Sequence, residues 1–488
     1  MSDIAGEPGG GVVFGGVSSV RKTRGAMALA IAFGLAFGIA SCSVHNIPVN
    51  EPVTSTNAGL IADQQEPSIS YADEFLITLA FSGGGTRAAA FSFGVLRGLD
   101  RMQIPTPEGP ASMLDRIDFV SGVSGGSITA AYFGLKKRAT LNDFRERFLL
   151  RQVEQESLST SVSVGNLVRG LSGGVNDATH LPRWLSENLF DGATFAAYRA
   201  QQRPRIWINA ADIYNRTPFV FGRTAFSVMC SDINTYPIAD AVAASAAVPI
   251  AFAPIVIESY AGKCNAQLPD WAVRAIANPN APPLLKAFAG ALQSYHNGSV
   301  RYVKLLDGGL VDNFGLSGFT IARLSANTPY EPLTPHQAVK LRRALFMVVD
   351  AGRAAKGDWV QSLEGPRGVD LVSAAADTAI DASVRASYTA FEQTMEDWRQ
   401  QLVRWRCGLT AAQRQTYGAP TRWNCRDIRF FIGRTGFDQL GGERAAQLNA
   451  VKTSLQLPQD QVDFVIGSGE EAISNNDVLR QFLGSLRR

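Results

Sequence analysis

Ile117-Asp118-Phe119-Val120-Ser121-Gly122-Val123-Ser124-Gly125-Gly126 is the stretch on which the fold turns. Its first residues, Ile117 to Ser121, form a short, mostly apolar run suited to a buried strand, and a helical pattern follows from about Ser127 to Lys137. Between them Gly122-Val123-Ser124-Gly125-Gly126 matches G-x-S-x-G, a pattern that acquires meaning at a strand-to-helix junction. There the flanking glycines permit close backbone approach and a sharp turn lifts the serine hydroxyl clear of the chain. The first N–H groups of the next helix then face any developing negative charge. The stretch predicts an α/β domain with a nucleophile elbow and makes Ser124 a candidate nucleophile.

Working outward, Glu74 to Phe81 is a continuous apolar run suited to a buried strand, and Arg87 to Leu99 reads as a helix. Ser82-Gly83-Gly84-Gly85-Thr86-Arg87 joins them, and three successive glycines leave backbone N–H groups open to an anion. A phosphate-binding loop is the rival reading. No G-K-[ST] follows at the required spacing and G-x-G-x-x-G is not met, so an oxyanion hole fits better. Downstream, the strand-like run Tyr302 to Leu306 ends in Asp307-Gly308-Gly309. A carboxylate at a strand end points into the crevice where α/β enzymes bind ligands, and dry surroundings raise its pKa toward that of a general base. Further strand-like runs at Arg205 to Ala210, Phe219 to Val228, Leu345 to Asp350 and Ile428 to Ile432 alternate with helical patterns. They predict a mainly parallel central sheet.

Taken in order, G-G-G-x-R, G-x-S-x-G and D-G-G resemble the patatin-like phospholipase family, over roughly Phe75 to Gly352. Asp240 to Pro249 resembles the family's small-residue helix, and Asn313 stands where the family commonly has asparagine. Ala88 replaces a frequent glycine and Phe314-Gly315 a frequent Leu-Pro, departures that touch no reacting atom. The resemblance implies a three-layer α/β fold and a lipid acyl hydrolase of phospholipase A or lysophospholipase type, with Ser124 as nucleophile and Asp307 as its base. It implies oxyanion donors at Gly83, Gly84 and Gly85, with Arg87 bracing that loop or assisting a charged intermediate. Gly122, Gly125, Gly126, Gly308 and Gly309 support the two turns, and the chemistry requires no metal or cofactor. Two other readings stand beside it. One is a Ser–acid–His hydrolase using His336, since the order Ser124, Asp307, His336 is allowed; Asp350, at another strand end, is a fallback base. The other is a non-catalytic envelope lipoprotein that binds lipid.

The chain has 488 residues with 46 basic and 43 acidic side chains and 46% apolar residues. That composition excludes whole-chain disorder, and the near balance of charge argues against a nucleic-acid binder. The four histidines, His45, His180, His296 and His336, are scattered and no C-x-x-C occurs, so no metal site is expected. At the N-terminus, Arg21, Lys22 and Arg24 precede an apolar run from Met27 to about Ala40, and Ile39-Ala40-Ser41-Cys42 resembles a bacterial lipobox. That resemblance implies a signal peptide over 1–41, acylation of Cys42, and a membrane-anchored protein of the bacterial cell envelope facing the periplasm. A polar tether is expected over 42–72, a catalytic core over 73–355, and a helical C-terminal extension with a further strand over 356–488, packed on the core. Cys230, Cys264, Cys407 and Cys425 form an even set in an exported chain, and proximity favours Cys230–Cys264 and Cys407–Cys425. Val369 to Trp405 reads as one long helix with Val372, Ala376, Ile380, Val384, Tyr388, Phe391, Met395, Trp398 and Leu402 on one face. That face either packs on the domain or meets a membrane or partner. Val478 to Arg488 is amphipathic with a basic end suited to lipid headgroups.

Overall fold

The computed structural model describes residues 46–54, 74–106, 109–157, 175–177, 179–199, 203–249, 251–354, 358–420 and 423–486. Its strands are β1 (Phe75–Phe81), β2 (Gln103–Ile104), β3 (Ala111–Ser112), β4 (Phe119–Val123), β5 (Arg205–Asp212), β6 (Thr217–Val220), β7 (Ile255–Glu258), β8 (Tyr302–Asp307), β9 (Arg343–Asp350) and β10 (Arg429–Gly436). The helices that matter most below are α1 (Gly85–Asp100), α2 (Gly125–Lys136), α3 (Ile238–Ser245), α4 (Gly309–Asp312), α5 (Val369–Cys407) and α6 (Gln459–Ser474). One mixed sheet in the order β10-β9-β1-β4-β5-β8-β7 organises the molecule, with β6 paired to β5 and β2–β3 forming a small separate ribbon. Strands β10, β9, β1, β4 and β5 run parallel. Beyond β5 the direction reverses: β8 and β6 are antiparallel to it, and β7 is antiparallel to β8.

The alternation along β1 explains the layers. Ile77, Leu79 and Phe81 point to one face, where Phe91, Val95 and Leu96 of α1 and Val462, Val465 and Ile466 of α6 cover them. Leu76 and Ala80 point to the other, with Phe346 and Val348 of β9, under Phe391, Met395, Trp398 and Leu402 of α5. Burial on both faces requires β1 to be apolar at every step but Thr78, and it is. The result is the expected three-layer, mostly parallel α/β fold.

Several expectations are corrected. Phe219 to Val228 is not one strand: β6 ends at Val220 and Arg223–Val228 is helical. Gly222 separates the two, and Phe219, Phe221, Phe226 and Tyr236 close into an aromatic cluster that a straight strand could not form. The short strand β7 carried no sequence signal that singled it out. The tether reading fails over residues 46–54, which are pinned to the domain. Asn50 is buried, donates through Nδ2 to Ser231 Oγ (2.9 Å) and the Glu258 carbonyl (2.9 Å), and accepts from Glu258 N (2.9 Å). The proposed signal peptide, Cys42 and residues 55–73 lie outside the described residues.

The C-terminal region does not sit on a finished core. Its strand β10 pairs with β9 along its whole length, from Arg429 opposite Arg343 to Gly436 opposite Asp350, and its helix α6 covers the sheet beside α1. Within α5 the single apolar stripe has two fates. Phe391, Met395, Trp398 and Leu402 are buried, whereas Ala376, Ile380 and Val384 are only half-buried. The terminal helix Asp477–Leu486 packs inward through Leu479 and Phe482, with the Phe482 ring 5.6 Å from Phe431, while the basic end at Arg487 and Arg488 lies outside the described residues. Disulfides join Cys230 to Cys264 and Cys407 to Cys425, with Cα separations of 5.6 and 5.0 Å. Among the described residues no helix is long and apolar enough to cross a membrane.

Candidate active site

Ser124 stands between β4 and α2 with φ 52° and ψ −125°, a backbone conformation that costs a non-glycine residue on the order of 1–3 kcal/mol. Surrounding contacts hold it there. The Ser124 N–H donates to Ser245 Oγ (2.9 Å), which in turn donates to the Asn209 carbonyl (2.6 Å). The Asn209 amide donates to Ser121 Oγ (2.8 Å) and the Gly122 carbonyl (2.9 Å), locking β5 to the strand that delivers the serine. The turn is tight enough that a Cβ at Gly125 would lie 1.9 Å from the Gly85 carbonyl oxygen, so the elbow and the glycine loop are in backbone contact.

The sheet brings Asp307 to Ser124 across 183 residues of sequence. Ala210 of β5 pairs with Asp307 of β8, one step past the Val123–Asn209 pair that precedes Ser124. The Asp307 N–H donates to the Ala247 carbonyl (2.8 Å) and Gly308 N–H to that of Ser245 (3.2 Å), so the small-residue helix α3 and the turn after it buttress both side chains. Ser124 Oγ donates to Asp307 Oδ2 at 2.7 Å, and Gly309 N–H donates to Oδ1 at 2.8 Å. Burial pushes the Asp307 carboxyl up to about 6, against the opposing pull of those two hydrogen bonds. A serine hydroxyl hydrogen-bonded to a carboxyl raised in this way has the chemistry to pass its proton to that carboxylate.

The glycine loop lies against this pair, with one correction. Gly83 N–H donates to the Asn313 carbonyl (3.2 Å) and is therefore committed to structure. Gly84 and Gly85 N–H groups have no partner among the described residues and remain open to an oxyanion, as do the first N–H groups of α2. Arg87 braces the loop: Nε donates to the Ala351 carbonyl (3.1 Å) and Nη1 to the Val451 carbonyl and Thr453 Oγ1 (2.9 Å each). Burial, with the nearby Arg353 charge, lowers its pKa to about 9. Thr86 N–H donates to the Ser454 carbonyl (2.8 Å), so the C-terminal region supports the loop directly. Sequence reasoning missed this support and that of Asn209. Ser245 lay within a quoted run without a role.

The rival residues lie elsewhere. His336 begins the helix Pro335–Lys340 and its ring faces Tyr417 at 5.8 Å, while His296 Nε2 meets the Ala266 carbonyl at 3.0 Å. No described histidine touches Ser124 or Asp307, both of whose carboxylate oxygens are engaged. Asp350 is paired with Arg434 (2.8 Å) and accepts from Gly352 N (2.7 Å), away from Ser124.

Two solved structures align: human GIVD cytosolic phospholipase A2 (12% identity, 61% of this chain and 49% of that one, TM-score 0.30) and VipD from Legionella pneumophila (13% identity, 85% and 68%, TM-score 0.29). The chain thus spans about half the length of the human protein. No curated protein matches it in sequence. The family model for patatin-like phospholipase matches residues 79–320, from within β1 through Ser124 and Asp307 to the helix after α4, so this stretch of the chain is a patatin-like phospholipase domain.

Proposed function

We propose that the protein is a lipid acyl-ester hydrolase acting through a Ser124–Asp307 dyad, held at a membrane of the bacterial envelope through an acylated Cys42. The 2.7 Å hydrogen bond from Ser124 Oγ to Asp307 Oδ2, at a strained elbow facing open N–H groups, carries the reading. Ser124 Oγ attacks the ester carbonyl carbon as its proton passes to Asp307. The tetrahedral oxyanion is held by Gly84 and Gly85 N–H. Collapse breaks the ester C–O bond, the departing alcohol takes the proton from Asp307, and an acyl-Ser124 remains. Water then attacks with Asp307 accepting its proton, and a second collapse frees the fatty acid and returns that proton to Ser124. The dyad needs no histidine, which agrees with the position of His336. The test is fatty-acid release from phospholipid vesicles by the protein and by its Ser124→Ala and Asp307→Asn variants. Release by the parent alone supports the dyad; equal release by Ser124→Ala refutes it.

A further inference from the structure

Two exposed apolar features rise on the same side of the sheet as Ser124. The first is the strap 46–54. Asn46 Nδ2 donates to the Pro254 carbonyl, and Pro254 lies one step beyond the Ile255–Leu305 pair, beside Leu306 and next to Asp307. Farther on, Tyr260 Oη donates to the Asn50 carbonyl (2.7 Å) and Val53 N–H to that of Cys230 (2.9 Å), so the strap is held at both ends. Held in this way, it turns Ile47 (83% exposed) and Val49 (47%) outward. Val248 (43% exposed) follows Ala247, whose carbonyl receives the Asp307 N–H. The second feature is the arm leading into α5. That helix runs from Arg406, bonded to the Leu341 carbonyl just before β9 begins, to Ser383, bonded to the Val311 carbonyl just past Asp307. Its first turns therefore continue beyond the site, with Leu371 about 18 Å past Ser383 at 1.5 Å per residue. Val360 (62% exposed) and Leu363 (fully exposed) precede it.

We propose that this end of the molecule is a lipid-docking face, in which the strap with Val248 and the arm enter a lipid surface on either side of the Ser124 mouth. The position of the preceding chain argues for lipid as the occupant. The apolar run Met27 to Ala40 and Cys42 lie just ahead of Asn46, and four residues reach at most about 14 Å. An anchor at Cys42 therefore tethers the domain by the rim that carries Ile47, turning the mouth toward the surface that holds the anchor. Exposed apolar side chains gathered at one end of a molecule mark an interaction surface. The inference rests on the lipid-hydrolase reading and names the surface from which that site draws its ester.

The test uses the full chain on phosphatidylglycerol–phosphatidylethanolamine vesicles containing lipid brominated near the middle of the acyl chain. Trp359, 41% exposed beside Val360, is the reporter. Bromolipid should quench the Trp359 contribution, on the order of a seventh of the emission from the seven tryptophans, and Trp359→Phe should abolish that quenched component. In parallel, Ile47→Asp and Val360→Asp/Leu363→Asp should each lower the ratio of vesicle turnover to p-nitrophenyl butyrate turnover at least tenfold. Quenching identical in parent and Trp359→Phe, with that ratio unchanged in the aspartate variants, overturns the docking face. Loss of the hydrolase reading is seen separately, as butyrate turnover that survives Ser124→Ala, and leaves the quenching result to decide docking on its own.

Discussion

Replacing Asp307 with asparagine should make the protein inactive and, at neutral pH, more stable. The asparagine fits the site: its amide can donate to Ser124 Oγ while its carbonyl accepts from Gly309 N–H, the two contacts that the carboxylate makes now. What it removes is a buried charge. Burial raises the Asp307 carboxyl from 3.8 to about 6, and at 1.36 kcal/mol per tenfold that corresponds to about 3 kcal/mol of folding free energy forgone when the group is ionised. The sign follows from linkage. A carboxyl raised in the folded state contributes its full stability below the unfolded value, near pH 3.8, and loses it as pH rises through about 6. The stability of Asp307→Asn relative to the parent should therefore be near zero at the acid end and grow to about 3 kcal/mol at pH 7.5.

Paired urea unfolding of parent and variant at several pH values from 4 to 8, disulfides intact, reads this difference. With m of about 3 kcal/mol/M or somewhat more, the midpoint of the variant should exceed that of the parent by roughly 0.5–1 M at pH 7.5, and the two should converge toward pH 4. In the proposed dyad the same ionisation sets the parent's activity, since Asp307 must be ionised to take the Ser124 proton. The kcat/KM profile should fall on the acid side with a midpoint near 6. A stability difference that is constant across this range, or that favours the parent at pH 7.5, would refute the assignment of a desolvated carboxylate at position 307. An acid limb near 4 would do the same for its role as the base.

His336→Ala should keep turnover within about twofold of the parent, since its ring meets Tyr417 and not the dyad; a collapse in vesicle hydrolysis would restore the triad. Ser245→Ala leaves the buried Ser124 N–H without its acceptor and should cost about 1–3 kcal/mol by urea unfolding, with kcat falling more than KM rises. Replacing Cys407 and Cys425 with serine opens a link spanning 18 residues, which chain-entropy arguments value at about 3 kcal/mol, and a thermal unfolding midpoint unchanged from the parent would contradict it.

How much of this was legible depends on which atoms do the work. The chemistry proposed for Ser124 and Asp307 asks for those residue types, and the glycines around them answer to steric demands at close backbone approaches, so the sequence displays them openly. Strand-to-helix junctions were legible for the same reason, being local. The partners that the glycine loop and Arg87 find in the C-terminal region were not. Val451 and Ser454 act there through backbone carbonyls, which every residue possesses, and their side chains leave no trace of that use. Asn209 and Ser245 do act through side chains, but a small polar residue in a strand or an alanine-rich helix is unremarkable until its neighbours are known. The strap misled for a related reason. Its polar, proline-containing composition matches a linker, yet its polar groups are spent on Ser231, Glu258 and Cys230.

The long helix marks the limit of periodicity as evidence. From Ala376 to Leu402 the apolar residues recur without a break, and nothing in the pattern distinguishes its two halves. In the fold, Phe391, Met395, Trp398 and Leu402 are buried against Phe346 and Phe430, whereas Ile380 and Ala376 farther along the stripe are only half-buried and Leu371 is exposed. A helical stripe states that one face is to be kept from water. It does not state what keeps it so, because an acyl chain and a phenylalanine ring satisfy that requirement alike. What differs is where the two halves lie. The C-terminal half lies beside the sheet, where side chains are available to cover it, and the N-terminal half extends past Asp307, on the side that the proposed reaction leaves for the ester.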